Sequence, residues 1–214
     1  MRNLLAIAAL VIFGLGCHKT VKQEMAPELN ETDKYILGAI HKWVWSGFYS
    51  PEEVDQMIDD ILEEDANEQM LRAAVSPEFT KKQAAEKDWP KITDCDRLNT
   101  VFAALDKRGV LCLHNSGFEM SDGHTDAFET LSKQPKTRYF GYCFYHGQDV
   151  ERAMESGGLM LAFDHVKDED PDKLKVGLAL KEELERAGFA LEWNGTSDQR
   201  INIPKFDWKR RYKP

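Results

Sequence analysis

Cysteine, proline and glycine are all sparse. The 214 residues hold 4 Cys, 8 Pro and 14 Gly. Those numbers exclude a collagen-like chain and a disulfide-dense scaffold. No apolar run reaches the roughly 20 residues that a bilayer-spanning helix needs. Familiar catalytic signatures are missing as well: there is no Gly-x-Ser-x-Gly elbow, no His-Glu-x-x-His, no P-loop and no Gly-x-Gly-x-x-Gly. Positive charge is in short supply, with 28 Lys+Arg against 37 Asp+Glu and a net charge of −9. Nucleic-acid binding needs cations that displace counterions, so nucleic acid is excluded as a generic partner. What is present is apolar material: 42% of residues are hydrophobic and 10% aromatic. That excludes a disordered acidic tail and allows a core of ordinary size.

The longest apolar stretch is at the start. Residues 4–15 are apolar or Gly, preceded by Arg2 and followed by Gly16 and Cys17. This length and these flanks fit a signal-peptide core rather than a membrane span. Cys17 after Gly16 resembles the lipobox of bacterial lipoproteins, with Gly14 where that motif usually has Leu. The expectation is a signal peptide over 1–17, lipidation at Cys17, a polar tether over 18–32, and residence in the bacterial cell envelope through a lipid anchor. Cys95, Cys112 and Cys143 then remain, an odd number inside apolar segments. They read as small buried hydrophobes, with one buried bridge open in an oxidising compartment.

The body divides in two. Residues 33–90 read as helical. Ile36, Ile40, Trp43, Val44 and Phe48 share one stripe. Ser50, Pro51 and Glu53 form a strong helix start, and the helix behind them carries Val54, Met57, Ile58, Ile61 and Leu62 on one face. Met70 to Val75 read as a short helix, and Ser76, Pro77 and Glu78 repeat the start signal for another, running to about Lys87. Residues 91–214 alternate strand and helix. Thr93 or Asp94 caps a helix ended by Gly109. Strands are expected over 110–114, 139–145 and 159–163, with helices capped by Ser121, begun near Gln148 and closed by Gly188. Residues 189–193 and 199–203 make a hairpin around Asn194 and Gly195. The fold class is α/β (α+β): a helical N-terminal region, then a mixed sheet of about five strands with packed helices, ending in a β-hairpin.

Five stretches carry a family resemblance: residues 46–56, 96–110, 141–163, 185–203 and 208–211. The Gly-Tyr-x-Phe-Tyr-His-x-Gln-Asp run from Gly141 to Asp149 is the most specific of them. Together they resemble an uncharacterised bacterial family known only as a domain of unknown function. Many of its members carry a Cys-Cys-x-x-Cys-Gly loop after the first strand. In this chain Phe118, Glu119 and Asp122 stand in place of those cysteines. The resemblance implies the fold and no activity.

Candidate chemistry is thin. His146 sits at a strand-to-helix turn, a common ligand position in open α/β sheets. Asp164 and His165 end the next strand; if that strand is a parallel neighbour, they would cluster with His146. His124 lies between Asp122 and Asp126, but i, i+2 and i+4 on a helix do not converge. Nothing in the sequence calls for a cofactor or a metal. The strongest compositional signal is acidic. Residues 51–70 hold Glu52, Glu53, Asp55, Asp59, Asp60, Glu63, Glu64, Asp65 and Glu68 with no Lys or Arg, and outside that window acids and bases balance at 28 each. The acids are expected mostly on one amphipathic helix whose face could dock a basic protein partner. The basic C-terminal segment, with Lys205, Lys209, Arg210, Arg211 and Lys213, could pair with that helix or touch anionic lipid. The expected role is a non-catalytic protein-binding or inhibitory module, with a small-molecule-binding protein or a hydrolase-type enzyme built on His146, Asp164 and His165 as the alternative.

Overall fold

A computed structural model describes residues 29–167 and 170–213. The expected signal peptide, Cys17 and the expected tether up to residue 28 lie outside the described residues. Helix α1 (Glu31–Ser46) begins inside the expected tether, because Asn30 caps it: its Oδ1 accepts from the Asp33 amide at 2.6 Å. Gly47 ends the helix in the left-handed region at φ 76°, where a Cβ would lie 2.4 Å from the Arg210 carbonyl oxygen. The Ser50 capping box with Glu53 starts α2 (Pro51–Asp59), as the sequence predicts.

The expected long acidic helix stops early. α2 ends at Asp59, and residues 60–67 turn away before α3 (Glu68–Glu86). Acids crowd this end, and a helix C-terminus disfavours negative charge. Ile61 and Leu62 still pack on the helical cluster from the turn. The two short helices expected next are a single one. Leu71, Val75, Phe79 and Lys82 form one buried stripe along α3, and it passes straight through Pro77. Tertiary burial therefore overrides a helix-start signal that is sound locally. The core of this region joins Ile36, Ile40, Val44, Val54, Ile58, Leu71, Val75 and Phe79.

The second region begins with α4 (Asp94–Lys107), capped by Thr93 with Asp96. β1 (Val110–Leu113), α5 (Met120–Ser132), β2 (Gly141–Phe144), α6 (Gly147–Ser156), β3 (Leu159–His165), α7 (Asp170–Arg186) and β4 (Ile201–Ile203) follow. Among the described residues the sheet has four strands in the order β1-β2-β3-β4. β1 and β2 are parallel, while β2–β3 and β3–β4 are antiparallel. The expected fifth strand reduces to one bridge, Glu192 with Asn202. Its neighbours leave the ladder: Phe189 turns into the core under Arg97, and Trp193 Nε1 donates to the carbonyls of Thr196 and Gln199.

One sheet face packs on α4 and α7 through Val110, Cys143, Leu161 and Phe163. The other carries Leu111, Tyr142, Phe144 and Ala162 under α5. The C-terminal segment bridges the regions rather than reaching the acidic stretch. Trp208 Nε1 donates to the Ser46 carbonyl at 3.1 Å, and the Arg210 guanidinium lies 4.2 Å over Phe48. Lys209 pairs with Asp207 and Arg211 with Asp96, so the expected pairing with residues 51–70 does not form.

Candidate functional site

The ends of β1 and β2 are where a ligand would be expected, since parallel neighbours send both following loops to one edge. Here that edge is closed by the chain itself. The Ser116 amide donates to the Tyr145 carbonyl at 2.9 Å, Gly147 N to Gly117 O at 2.9 Å, and Gln148 N to Phe118 O at 3.1 Å. The last two are first-turn amides of α6, which an anion would otherwise use. A Cβ on Gly147 would lie 2.8 Å from the Phe118 ring, so glycine lets the loops meet.

Behind this seam lies a buried charge network. His146 itself is the N-cap of α6, and Asp149, at N3, accepts its backbone N–H at 3.2 Å. Asp149 is 0% exposed. It also accepts from Arg200 at 3.0 Å and from Arg152. His146 Nε2 is 3.2 Å from the same carboxylate. Burial lowers the His146 pKa, against the pull of Asp149. Its Nδ1 is buried without a hydrogen-bond partner among the described residues. The network ties β2, α6 and the residue before β4 together. Asp149 was legible only as the end of the Gly141–Asp149 run beside the expected helix start, and Arg200 only as a residue of the expected 199–203 strand.

His146 does not meet Asp164 and His165. β3 runs antiparallel to β2, so His165 pairs with Gly141 at the start of β2, whereas His146 follows its other end. The expected three-residue cluster would need a parallel pair and is thereby corrected. His165 Nδ1 accepts from the Lys167 amide at 3.0 Å, and Asp164 lies 3.5 Å from Lys173 Nζ.

His124 stands on α5 with Nδ1 2.9 Å from the Tyr142 hydroxyl and its ring edge-on to Phe144. Its acidic neighbours are occupied elsewhere. Asp122 accepts from the amides of Phe118 and Glu119, each at 3.1 Å, and Asp126 accepts from Ser116 Oγ at 3.2 Å. The helix is capped at Glu119, not at Ser121, because the Asp122 carboxylate reaches back over that turn. A carboxylate therefore fastens the loop that carries cysteines in the resembling sequences. His124 and Asp164 do share a surface depression of about 220 Å³, lined also by Met120, Asp198 and Arg200.

The acidic residues divide into committed and uncommitted. Arg72 gathers Asp55, Asp59 and Glu68, and these bonds raise its pKa, with the Asp59 bond first. Glu53 closes its capping box, where hydrogen bonds from Ser50 hold its carboxyl below the usual range. Asp65 accepts from Thr32 at 3.2 Å. Glu52, Asp60, Glu63 and Glu64 are exposed and have no ion-pair partner among the described residues. Among those residues, too, no group of three or more His, Cys, Asp and Glu is placed to hold a metal. No described helix is long and apolar enough to cross a membrane.

Residues 29–212 match a family described as a domain of unknown function, DUF6891. The chain belongs to the DUF6891 family. The match runs through both regions, from the N-cap of α1 to the C-terminal bridge segment. Neither the curated proteins nor the solved structures return a match. What this DUF6891 chain does must therefore be argued from its own residues.

Proposed function

We propose that the domain is a non-catalytic protein-binding module, anchored to the bacterial envelope through a lipid on Cys17, and that α2 with residues 60–67 is its partner-facing corner. The observation that carries this reading is the division among the acids. Glu52, Asp60, Glu63 and Glu64 stand exposed, with no ion-pair partner among the described residues, on a backbone pinned by the Ser50 and Asn67 caps and by Ile61 and Leu62. A fixed acidic corner steers and orients a basic protein without paying much to order itself. The reading gains support from the histidines and carboxylates that could do chemistry, since His146 Nε2, Asp149, Asp164 and His165 are engaged in internal contacts.

The test is capture of a partner from envelope extract by the chain and by a variant with Glu52, Asp60, Glu63 and Glu64 changed to Lys. The partner should be basic, and the variant should lose at least about tenfold in affinity at low salt. Equal capture by both proteins rules the corner out. The mass of the mature N-terminus checks the lipid separately.

The half-covered sheet face supports a second reading, a small polar ligand in the depression beside His124, Asp164 and Arg200. That reading requires the Tyr142 and His124 resonances to shift on ligand addition while the acidic corner stays silent.

A further inference from the structure

β1 and β2 are parallel and in register, and the register sets Cys112 directly opposite Cys143. Adjacent strands lie about 4.8 Å apart, within the span of about 4.4–6.8 Å between Cα atoms that a disulfide bridges. The two side chains share one face of the sheet, with their sulfurs 3.2 Å apart. Cys143 is fully buried, and Cys112 is half-buried beside it. The third body cysteine, Cys95, is buried in α4 against the backbone of Lys209. The three described cysteines thus separate into a facing pair and a single buried thiol.

We infer that Cys112 and Cys143 are a redox pair, closed to an inter-strand disulfide when a disulfide-bearing oxidant reaches Cys112. In the first step Cys112 loses its proton and its sulfur attacks the oxidant's S–S bond, giving a mixed disulfide and one released thiol. In the second step Cys143 loses its proton, its sulfur attacks the Cys112 sulfur, and the second thiol leaves. Two cysteine thiols are oxidised, one disulfide is reduced to two thiols, and both protons end on the released thiols. Burial raises the Cys112 pKa well above its ordinary value, with the Cys143 sulfur adding to the effect. Since the thiolate is the nucleophile, closure is slow at neutral pH and faster in alkali. The bond would staple the strand pair beneath the seam between residues 116–118 and 145–148. It stands whatever the acidic corner binds.

The folded full chain is incubated with oxidised glutathione and mapped by mass spectrometry of non-reduced peptides. The expected product links the Cys112 and Cys143 peptides, leaves Cys95 as a thiol, and keeps no glutathione on any of these three. Closure joins residues 31 apart in sequence and should raise Tm by about 5–10 °C. Cys112→Ser should abolish the link, and Cys95→Ala should leave it intact. Persistent glutathione on Cys112, two surviving thiols, or a link through Cys95 overturns the inference. If Cys112→Ser does not fold, the map of the Cys95→Ala chain still decides.

Discussion

In α2 and the turn behind it, carboxylates stand in solvent, and Glu52, Asp60, Glu63 and Glu64 meet no cation among the described residues. At the sheet edge Asp149, at 0% exposure, is held by Arg152, Arg200 and His146. The two regions thus use the same residue types for opposite ends. An exposed acid contributes little to folding and is free to act at a distance. A buried acid must be fully partnered, and it then fixes the elements that partner it. The comparison teaches that carboxylate density alone says nothing about role; burial and partners decide.

The strongest blow to this contrast falls on the buried side. Asp149→Ala leaves Arg200 and His146 facing an empty site and removes the acid that accepts the His146 amide. The expected cost is about 3–5 kcal/mol, read as a fall in the urea midpoint. A loss below about 1 kcal/mol would mean that the network is ornamental and that the two regions do not differ.

A middle-sized effect comes from Glu78, a carboxylate on α3 that bonds to His41 and Trp45 of α1. Burial on its own would raise its pKa. Bonds from Lys81, His41 and Trp45 outweigh burial and bring it to about 2. A depressed folded pKa stabilises above the unfolded value near 4.5 and is lost as pH falls toward 2. After discounting for solvent screening, the loss is about 1–2 kcal/mol. Urea unfolding at pH 5 and pH 3 measures it, and Glu78→Gln should flatten the difference.

Legibility of the fold follows the range of the forces involved. The caps at Ser50 and Thr93 were readable because a cap is satisfied within three residues. The direction of β3 was not. A strand–helix–strand order suggests a parallel return, but α6 packs on both α1 and β3, and the return strand is antiparallel. Gly157 and Gly158, with φ of 73° and 86°, then turn the chain straight into an antiparallel strand. That choice depends on packing between elements distant in sequence, which no local window contains. For the same reason His146 was readable as a strand-end residue, but its separation from Asp164 and His165 was not. The acidic residues were readable as a set; which of them Arg72 neutralises was not, because Arg72 lies on the next helix.

Pro77 probes the same lesson with a smaller effect. At a helix start Pro77→Ala would gain nothing, since the missing N–H is idle there. Inside α3 the proline removes a hydrogen bond to the Ala73 carbonyl, so alanine should stabilise by about 1 kcal/mol once the unfolded chain's added freedom is subtracted. The sign of the change in urea midpoint therefore tells one long helix from two short ones.

The smallest stability effect belongs to Arg72→Gln, yet it sharpens the comparison most. Arg72 sits between Asp55, Asp59 and Glu68 at the surface, where ion pairs contribute little to folding. The urea midpoint should hardly move. The local field should change much more, because three acids lose their shared cation and join the four that have none among the described residues. If the corner steers a basic partner, association at low salt should quicken, with a steeper fall as salt is added. Association rates of the two proteins across an ionic-strength series provide the measurement. An unchanged rate and slope would place the partner's docking surface elsewhere, since no nearby charge could change so sharply without a partner at the corner sensing it.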